Sequence, residues 1–283
     1  MNKVVILVDS TCDLSPELIA GHDVRIVPLT VNFADESYHD GVDINTKKLY
    51  DLVAQKGELP KTAAITIGEI YALFEEYIEK GYDIIYTGIS STMSKSYENA
   101  VMTASEFPEG RIEVVDSQNL SSGIGLVVLK AIEWQEEGKD VHEIANLMRE
   151  TIPHVRSQFM VDTMEYLHKG GRCSSVAKLF GSILKIKPII AVREAKMGVC
   201  AKPRGKTQVA LDALLDIFRE DAANIETDRI FITHSLADES FEYVKEKVNE
   251  IRPDVPIIEA KAGCVISTHC GPGTIGVLYI LKH

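Results

Sequence analysis

The strongest constraint on this chain is a repeated alternation. A short apolar, β-branched run stops at a polar cluster, and an amphipathic stretch follows. The first run is Val4-Val5-Ile6-Leu7-Val8, which halts at Asp9-Ser10-Thr11. A run without polar alternation suits a strand buried on both faces of a parallel sheet. Ser15-Pro16-Glu17 then opens a short helix with proline at its first position. Further strands are predicted over 25–33, 83–89 and 112–116, and helices over 46–55, 68–80, 94–104, 121–137 and 141–151. Asn45 or Thr46 caps the first of these helices and Gly57 ends it. In the next, Ile70, Leu73, Phe74, Tyr77 and Ile78 recur at helical spacing. Such an order predicts a layered α/β fold on a parallel sheet.

The second half changes texture. Strands are predicted over 154–162, 186–192, 229–234, 257–260 and 274–281, with helices over 206–220 and 239–251. A short helix from Thr163 runs into Lys169-Gly170-Gly171-Arg172, and an apolar helix follows over 174–184. Gly198 is expected to punctuate a hairpin. Hairpins mixed with crossovers predict a mixed α/β sheet. Pro153 disfavours helix continuation, so the boundary is drawn there. The expectation is two domains, an N-terminal parallel-sheet α/β domain over 1–152 and a C-terminal mixed α/β domain over 153–283. A chain of 283 residues accommodates both.

Composition narrows the function classes. The formal net charge is −12, which repels phosphate backbones and anionic headgroups alike. Nucleic acid and membrane surfaces are therefore not expected partners. No run reaches the ~18 apolar residues of a membrane span, and no secretion signal opens the chain. The five cysteines are odd in number and none is spaced C-x-x-C. Reduced thiols in a cytoplasm fit that pattern, and no metal site is expected.

Four polar clusters fall at predicted strand ends, where ligands of a parallel sheet usually sit. They are Asp9-Ser10-Thr11, Ser90-Ser91-Thr92-Met93-Ser94, Asp116-Ser117 and His234-Ser235. Each also suits a helix N-cap. The serine-rich one stands out, because hydroxyls and free N–H groups at a helix start can hold a carboxylate or phosphate. Thr268-His269-Cys270-Gly271-Pro272-Gly273 is the other informative segment. Its Gly-Pro-Gly turn lets backbone approach a ligand, and His269 can be a structural hydrogen-bonder, an anion donor or a phosphate carrier. Catalytic patterns fail. Gly205-Lys206-Thr207 resembles the end of a phosphate-binding loop, but Cys200 stands where its first glycine belongs. Gly123-Ile124-Gly125 lacks the third dinucleotide glycine, and no G-x-S-x-G elbow occurs. The lack of an acid–base set favours binding over catalysis.

Taken in order, the clusters resemble a known family. Asp9-Ser10-Thr11-Cys12-Asp13-Leu14, Asp40-Gly41 and Ser90-Ser91-Thr92-Met93-Ser94-Lys95-Ser96-Tyr97 carry the first half of the likeness. Tyr166-Leu167-His168-Lys169-Gly170-Gly171-Arg172, Ile186-Lys187-Pro188-Ile189 and His269-Cys270-Gly271-Pro272-Gly273 carry the second. Together they resemble the DegV family of bacterial fatty-acid-binding proteins, the lipid-presenting subunits of fatty acid kinase. The resemblance implies a long-chain fatty acid held between two α/β domains, with no cofactor and no catalytic residue in this chain. It implies a separate kinase that phosphorylates the presented carboxylate. By the same resemblance Thr62, Ser94 and His269 hydrogen-bond the carboxylate, Gly271 and Gly273 lie beside it, and Arg172 faces the partner. Three departures from the family pattern stand out. Ala63-Ala64-Ile65 follow Thr62 in place of Ser-Gln-Pro, Lys95 replaces a usual glycine, and Ser96 a usual threonine. The apolar helix over 174–184 is a candidate tunnel wall. The rival reading is an enzyme, a phosphocarrier at His269 or an acyl transferase at Ser94.

Overall fold

The computed structural model describes residues 2–177, 186–226 and 228–282. Its strands are Lys3–Asp9 (β1), Val24–Val27 (β2), Thr30–Phe33 (β3), Glu36–His39 (β4), Lys61–Ala63 (β5), Tyr82–Gly88 (β6), Ile112–Asp116 (β7), Val155–Met160 (β8), Ile189–Arg193 (β9), Lys196–Ala201 (β10), Ile230–Ser235 (β11), Ile257–Lys261 (β12) and Thr274–Ile280 (β13). They form three sheets. The first is parallel, in the order β2-β1-β6-β7. Its central β1 pairs Ile6 with Val24 on one side and with Ile85 on the other, and is buried from Val4 to Asp9. The second runs β10-β9-β8-β13-β11-β12 and is antiparallel except for its β11–β12 edge. The third is a small antiparallel sheet, β4-β3-β5.

Local chemistry sets the helix ends. Asn45 accepts the Lys48 N–H to open the helix Thr46–Lys56, and Gly57 closes it at φ 68°. Thr66 with Glu69, and Asp140 with Glu143, form capping boxes on Ile67–Glu79 and Val141–Thr151. The helix Ser122–Glu136 is buried from Ser122 through Leu129. A helix apolar on all sides has to lie inside, and this one packs on both β1 and β13. One core cluster accordingly joins Val4, Ile6 and Val8 to Phe231, Leu278 and Ile280. The chain crosses from the first sheet to the second through the short turn Ile152–His154, while the packed core continues across that point.

Several elements differ from expectation. The strand predicted over 25–33 breaks at Pro28-Leu29, and β3 leaves the parallel sheet for the small one. Proline has no N–H to extend the ladder. Gly198 lies inside β10; the hairpin turns instead at Glu194 and Ala195, with φ of 48° and 64°. Paired positive φ values at a two-residue loop are the geometry that matches strand twist. A helix at Cys264–Cys270 has no counterpart in the sequence pattern. It packs into the N-terminal half, where Cys264 and Val265 join a core with Leu7, Leu29 and Phe74.

Candidate functional site

A cavity of about 230 Å³ opens beyond the carboxyl ends of β6 and β7. Its walls come from both halves of the chain and are mostly apolar, including Leu29, Met93, Phe159, Leu167, Ile266 and Leu278. Thr62, Ser94, Arg172 and His269 also line it. Apolar walls with a few convergent polar groups are the usual make-up of a small-molecule site.

Thr62 and His269 are far apart in sequence and adjacent in space. Thr62 sits on β5, paired with Val31 of β3. His269 sits in the last turn of the helix Cys264–Cys270. The Thr62 Oγ1 lies 2.8 Å from His269 Nε2. Gly170 lets the ring lie against backbone, because a Cβ there would collide with His269 Nδ1. Burial, and then the nearby Arg172 charge, push the His269 pKa down from 6.5 to about 4. The imidazole is therefore neutral at neutral pH. Its Nδ1 is buried and has no hydrogen-bond partner among the described residues. A proton there would be an unmade buried donor, so we assign the proton to Nε2, donating to Thr62. The Thr62 hydroxyl hydrogen is then free to donate into the cavity.

Ser94 lies in a turn held by Met93 and Ser94 N–H groups donating to the Ser90 carbonyl. The helix begins at Ser96, two residues later than expected, and Ser94 Oγ accepts the Ser96 N–H at 3.2 Å. Its other polar neighbour is Ser96 Oγ at 3.0 Å. Lys95 points its charge elsewhere: Nζ donates to both carboxylate oxygens of Glu98 at 2.7 Å. Ala63 and Ala64 line the cavity and bring no polar atom beyond their backbone. Arg172 is exposed at the rim and donates to the Gly170 carbonyl at 2.6 Å. Gly271 and Gly273 do not line the cavity. Both have φ of 78°, and a Cβ would lie 2.8 Å from the Tyr166 ring and from Asp162 Cβ respectively. They shape the turn that carries the chain from His269 into β13. Of the expected tunnel wall, Val176 is buried in the cluster with Phe159 and Leu167, and residues 178–185 lie outside the described residues.

The remaining wall, at Thr233-His234-Ser235, is polar but saturated. Ser122 Oγ meets Thr233 Oγ1 at 2.7 Å. Ser235 Oγ meets Tyr50 Oη at 2.7 Å and Ser267 Oγ at 2.8 Å. His234, Asp238 and Glu259 bring three potential metal-ligating atoms together. However, His234 Nδ1 accepts the Ala237 N–H, so Nε2 carries the proton and donates to Glu259 at 3.1 Å. Its ring has no lone pair left for a cation.

Sequence reasoning missed Gly170 as the seat of the imidazole, and it missed most of the apolar lining. Neither has a local signal, because each is defined by what approaches from elsewhere in the chain.

Comparison with known proteins adds to this geometry. A family model described as an uncharacterised protein of the DegV family matches residues 3–282. A DegV domain-containing protein of Clostridium acetobutylicum is 35% identical over 283 residues, 100% of each chain. A solved structure described as fatty acid binding of a DegV family protein from Thermus thermophilus aligns with a TM-score of 0.92 at 28% identity, covering 99% of this chain and 100% of that one. A stearic acid-binding protein from Eubacterium ventriosum aligns with a TM-score of 0.88 at 26% identity, covering 100% of this chain and 99% of the other.

Proposed function

The chain belongs to the DegV family, and on that premise we propose that it binds a long-chain fatty acid in the cavity and holds the carboxylate at Thr62, Ser94 and His269. The observation that carries this reading is the Thr62–His269 pair at 2.8 Å on the wall of an apolar cavity. Neutral donors suffice there, because the tail supplies the driving force. Each buried methylene contributes ~0.8 kcal/mol, so a sixteen- or eighteen-carbon tail has on the order of 10 kcal/mol available before ordering costs. Thr62 donates its free hydroxyl hydrogen to one carboxylate oxygen and Ser94 its own to the other. Charge-assisted bonds of that kind are the strong ones. Gly271 and Gly273 act through the turn that follows His269.

In this reading the protein is a cytoplasmic lipid-binding subunit and has no chemistry of its own. A separate kinase supplies ATP, Mg²⁺ and phosphoryl transfer to the presented carboxylate. Arg172, exposed at the rim, faces that partner, where a guanidinium suits paired recognition of carboxylate or phosphate. A phosphocarrier role for His269 fits less well, since Nδ1 is closed off by Gly170 and Nε2 by Thr62. An acyl transferase at Ser94 lacks a base: among the described residues its Oγ is bonded only within Ser94–Ser96.

Mass spectrometry of an organic extract of the purified protein tests the proposal. A straight-chain fatty acid at near one per chain is expected. Extracts with no lipid above a control protein, together with no uptake of added oleate, would overturn it.

A further inference from the structure

We infer that Asp40, seconded by Asp13, is a positioning residue for the lipid headgroup: it fixes one end of the short helix whose other end presents His269. The inference rests on the fatty-acid reading and adds residues that do not touch the ligand site.

The helix Cys264–Cys270 has seven residues, so it is only about 10 Å long. A helix that short has no stability of its own, and its direction is set by tertiary bonds. At its N-terminal end three successive N–H groups are taken by two carboxylates from the other half of the chain. Gly263 donates to Asp13 Oδ1 at 2.8 Å, Cys264 to Asp40 Oδ1 at 2.7 Å and Val265 to Asp40 Oδ2 at 3.1 Å. The clamp is geometric first: three N–H groups are held in place, while burial raises the pKa of both carboxyl groups, that of Asp13 to about 8. Only 4% of Asp40 and 8% of Asp13 is exposed, and among the described residues neither forms an ion pair with a cation.

The carboxylates are themselves held. Ser10 donates to Asp40 Oδ2 at 3.1 Å while accepting the Leu29 N–H at 3.2 Å. Ser121 donates to Asp13 Oδ2 at 2.5 Å. Asp13 and Ser121 both sit at positive φ, 52° and 54°, a strain that persists only where the surroundings over-determine it. Gly263 is needed as well, since a Cβ there would lie 3.1 Å from Asp40 and 3.2 Å from Asp13. Further along, Thr46 donates to the Ala262 carbonyl at 2.7 Å and Tyr50 to the Ser267 carbonyl at 3.3 Å. These bonds steady the flank of the helix; Asp40 and Asp13 hold its end. A pivot about the flank would carry His269 away from Thr62.

The test is a double-mutant cycle read with oleate and with methyl oleate, which keeps the tail and lacks the anion. Asp40→Asn preserves shape but removes the charge and one acceptor. It is expected to weaken oleate binding about tenfold. In a His269→Ala background the same change is expected to alter oleate affinity less than about twofold, because the residue it positions is gone. Methyl oleate affinity should not move in either background. An equal loss in both backgrounds, or an equal loss for the ester, would show that Asp40 is structural only. If Asp40→Asn does not fold, Ser10→Ala leaves the carboxylate in place and removes a donor that orients it, with the same pattern expected at smaller size. Failure of the wild-type protein to bind oleate would sink the fatty-acid reading instead, and the two failures are distinct.

Discussion

The end of β1 and the rim of the cavity are both rich in polar side chains near strand ends, yet they do opposite things. At the end of β1, Asp9 is fully buried and accepts from the Thr11 N–H at 3.1 Å, the Ile89 N–H at 2.9 Å and the Thr11 hydroxyl. Asp13 and Asp40 are saturated in the same way. At the rim, the Thr62 and Ser94 hydroxyls keep a hydrogen to donate, while His269 spends its Nε2 proton on Thr62. A polar cluster is a scaffold when its hydrogen bonds are spent internally, and a site when some are left over. The polar wall at Thr233 and Ser235 belongs with the scaffold by this criterion, although it too borders the cavity.

The two regions should therefore answer mutation differently. The largest effect is expected from Asp9→Ala, which strands two buried N–H groups. At about 1–3 kcal/mol each, urea unfolding should register a loss of about 2–6 kcal/mol. A stable variant that had only lost lipid would break the comparison. Next come Thr62→Ala and His269→Ala. Each removes a member of the donor pair and should cost about 1.5–3 kcal/mol of oleate affinity with little change in the unfolding midpoint. A large stability loss with affinity intact would move these residues to the scaffold.

A smaller effect concerns pH. The His269 pKa lies at about 4 in the folded protein, below its ordinary 6.5. As pH falls, the unfolded chain takes up this proton first. The stability linked to the neutral ring is complete above the unfolded value and is lost as pH falls toward the folded one. The difference in thermal midpoint between wild type and His269→Ala should shift against the wild type on acidification through that window. A difference independent of pH would mean the ring is not held neutral. The smallest effect is expected from Lys95→Ala. Its ammonium is bound by exposed Glu98, so oleate affinity should change less than about twofold. A larger loss would make Lys95 a headgroup ligand.

Much of the fold was legible where the signal is local. Asn45 and Gly57 mark helix ends through bonds within one turn, and the run Val4–Val8 carries its own burial. The short elements were not legible. β5 has three residues and exists because Val31 pairs with Thr62. The helix Cys264–Cys270 contains three β-branched residues, Val265, Ile266 and Thr268, in seven positions and has no capping side chain of its own. Its cap comes from Asp40, more than two hundred residues away. The hairpin at Glu194-Ala195 lacks the glycine or asparagine that usually announces one. The same logic governs the site. His269 stood out beside its glycine turn, but Thr62 came only from a family resemblance, since no periodicity links positions 207 residues apart. Gly170 carries no local signal for its role, and its fit against the imidazole appears only when the chain is folded.

A crystal structure with bound oleate tests the central claim most directly. The account predicts the carboxylate oxygens within hydrogen-bonding distance of Thr62 Oγ1 and Ser94 Oγ, with His269 Nε2 behind Thr62 and the tail among Met93, Phe159 and Leu278. A carboxylate found instead against Thr233 and Ser235, with the tail leaving past Thr62, would contradict it.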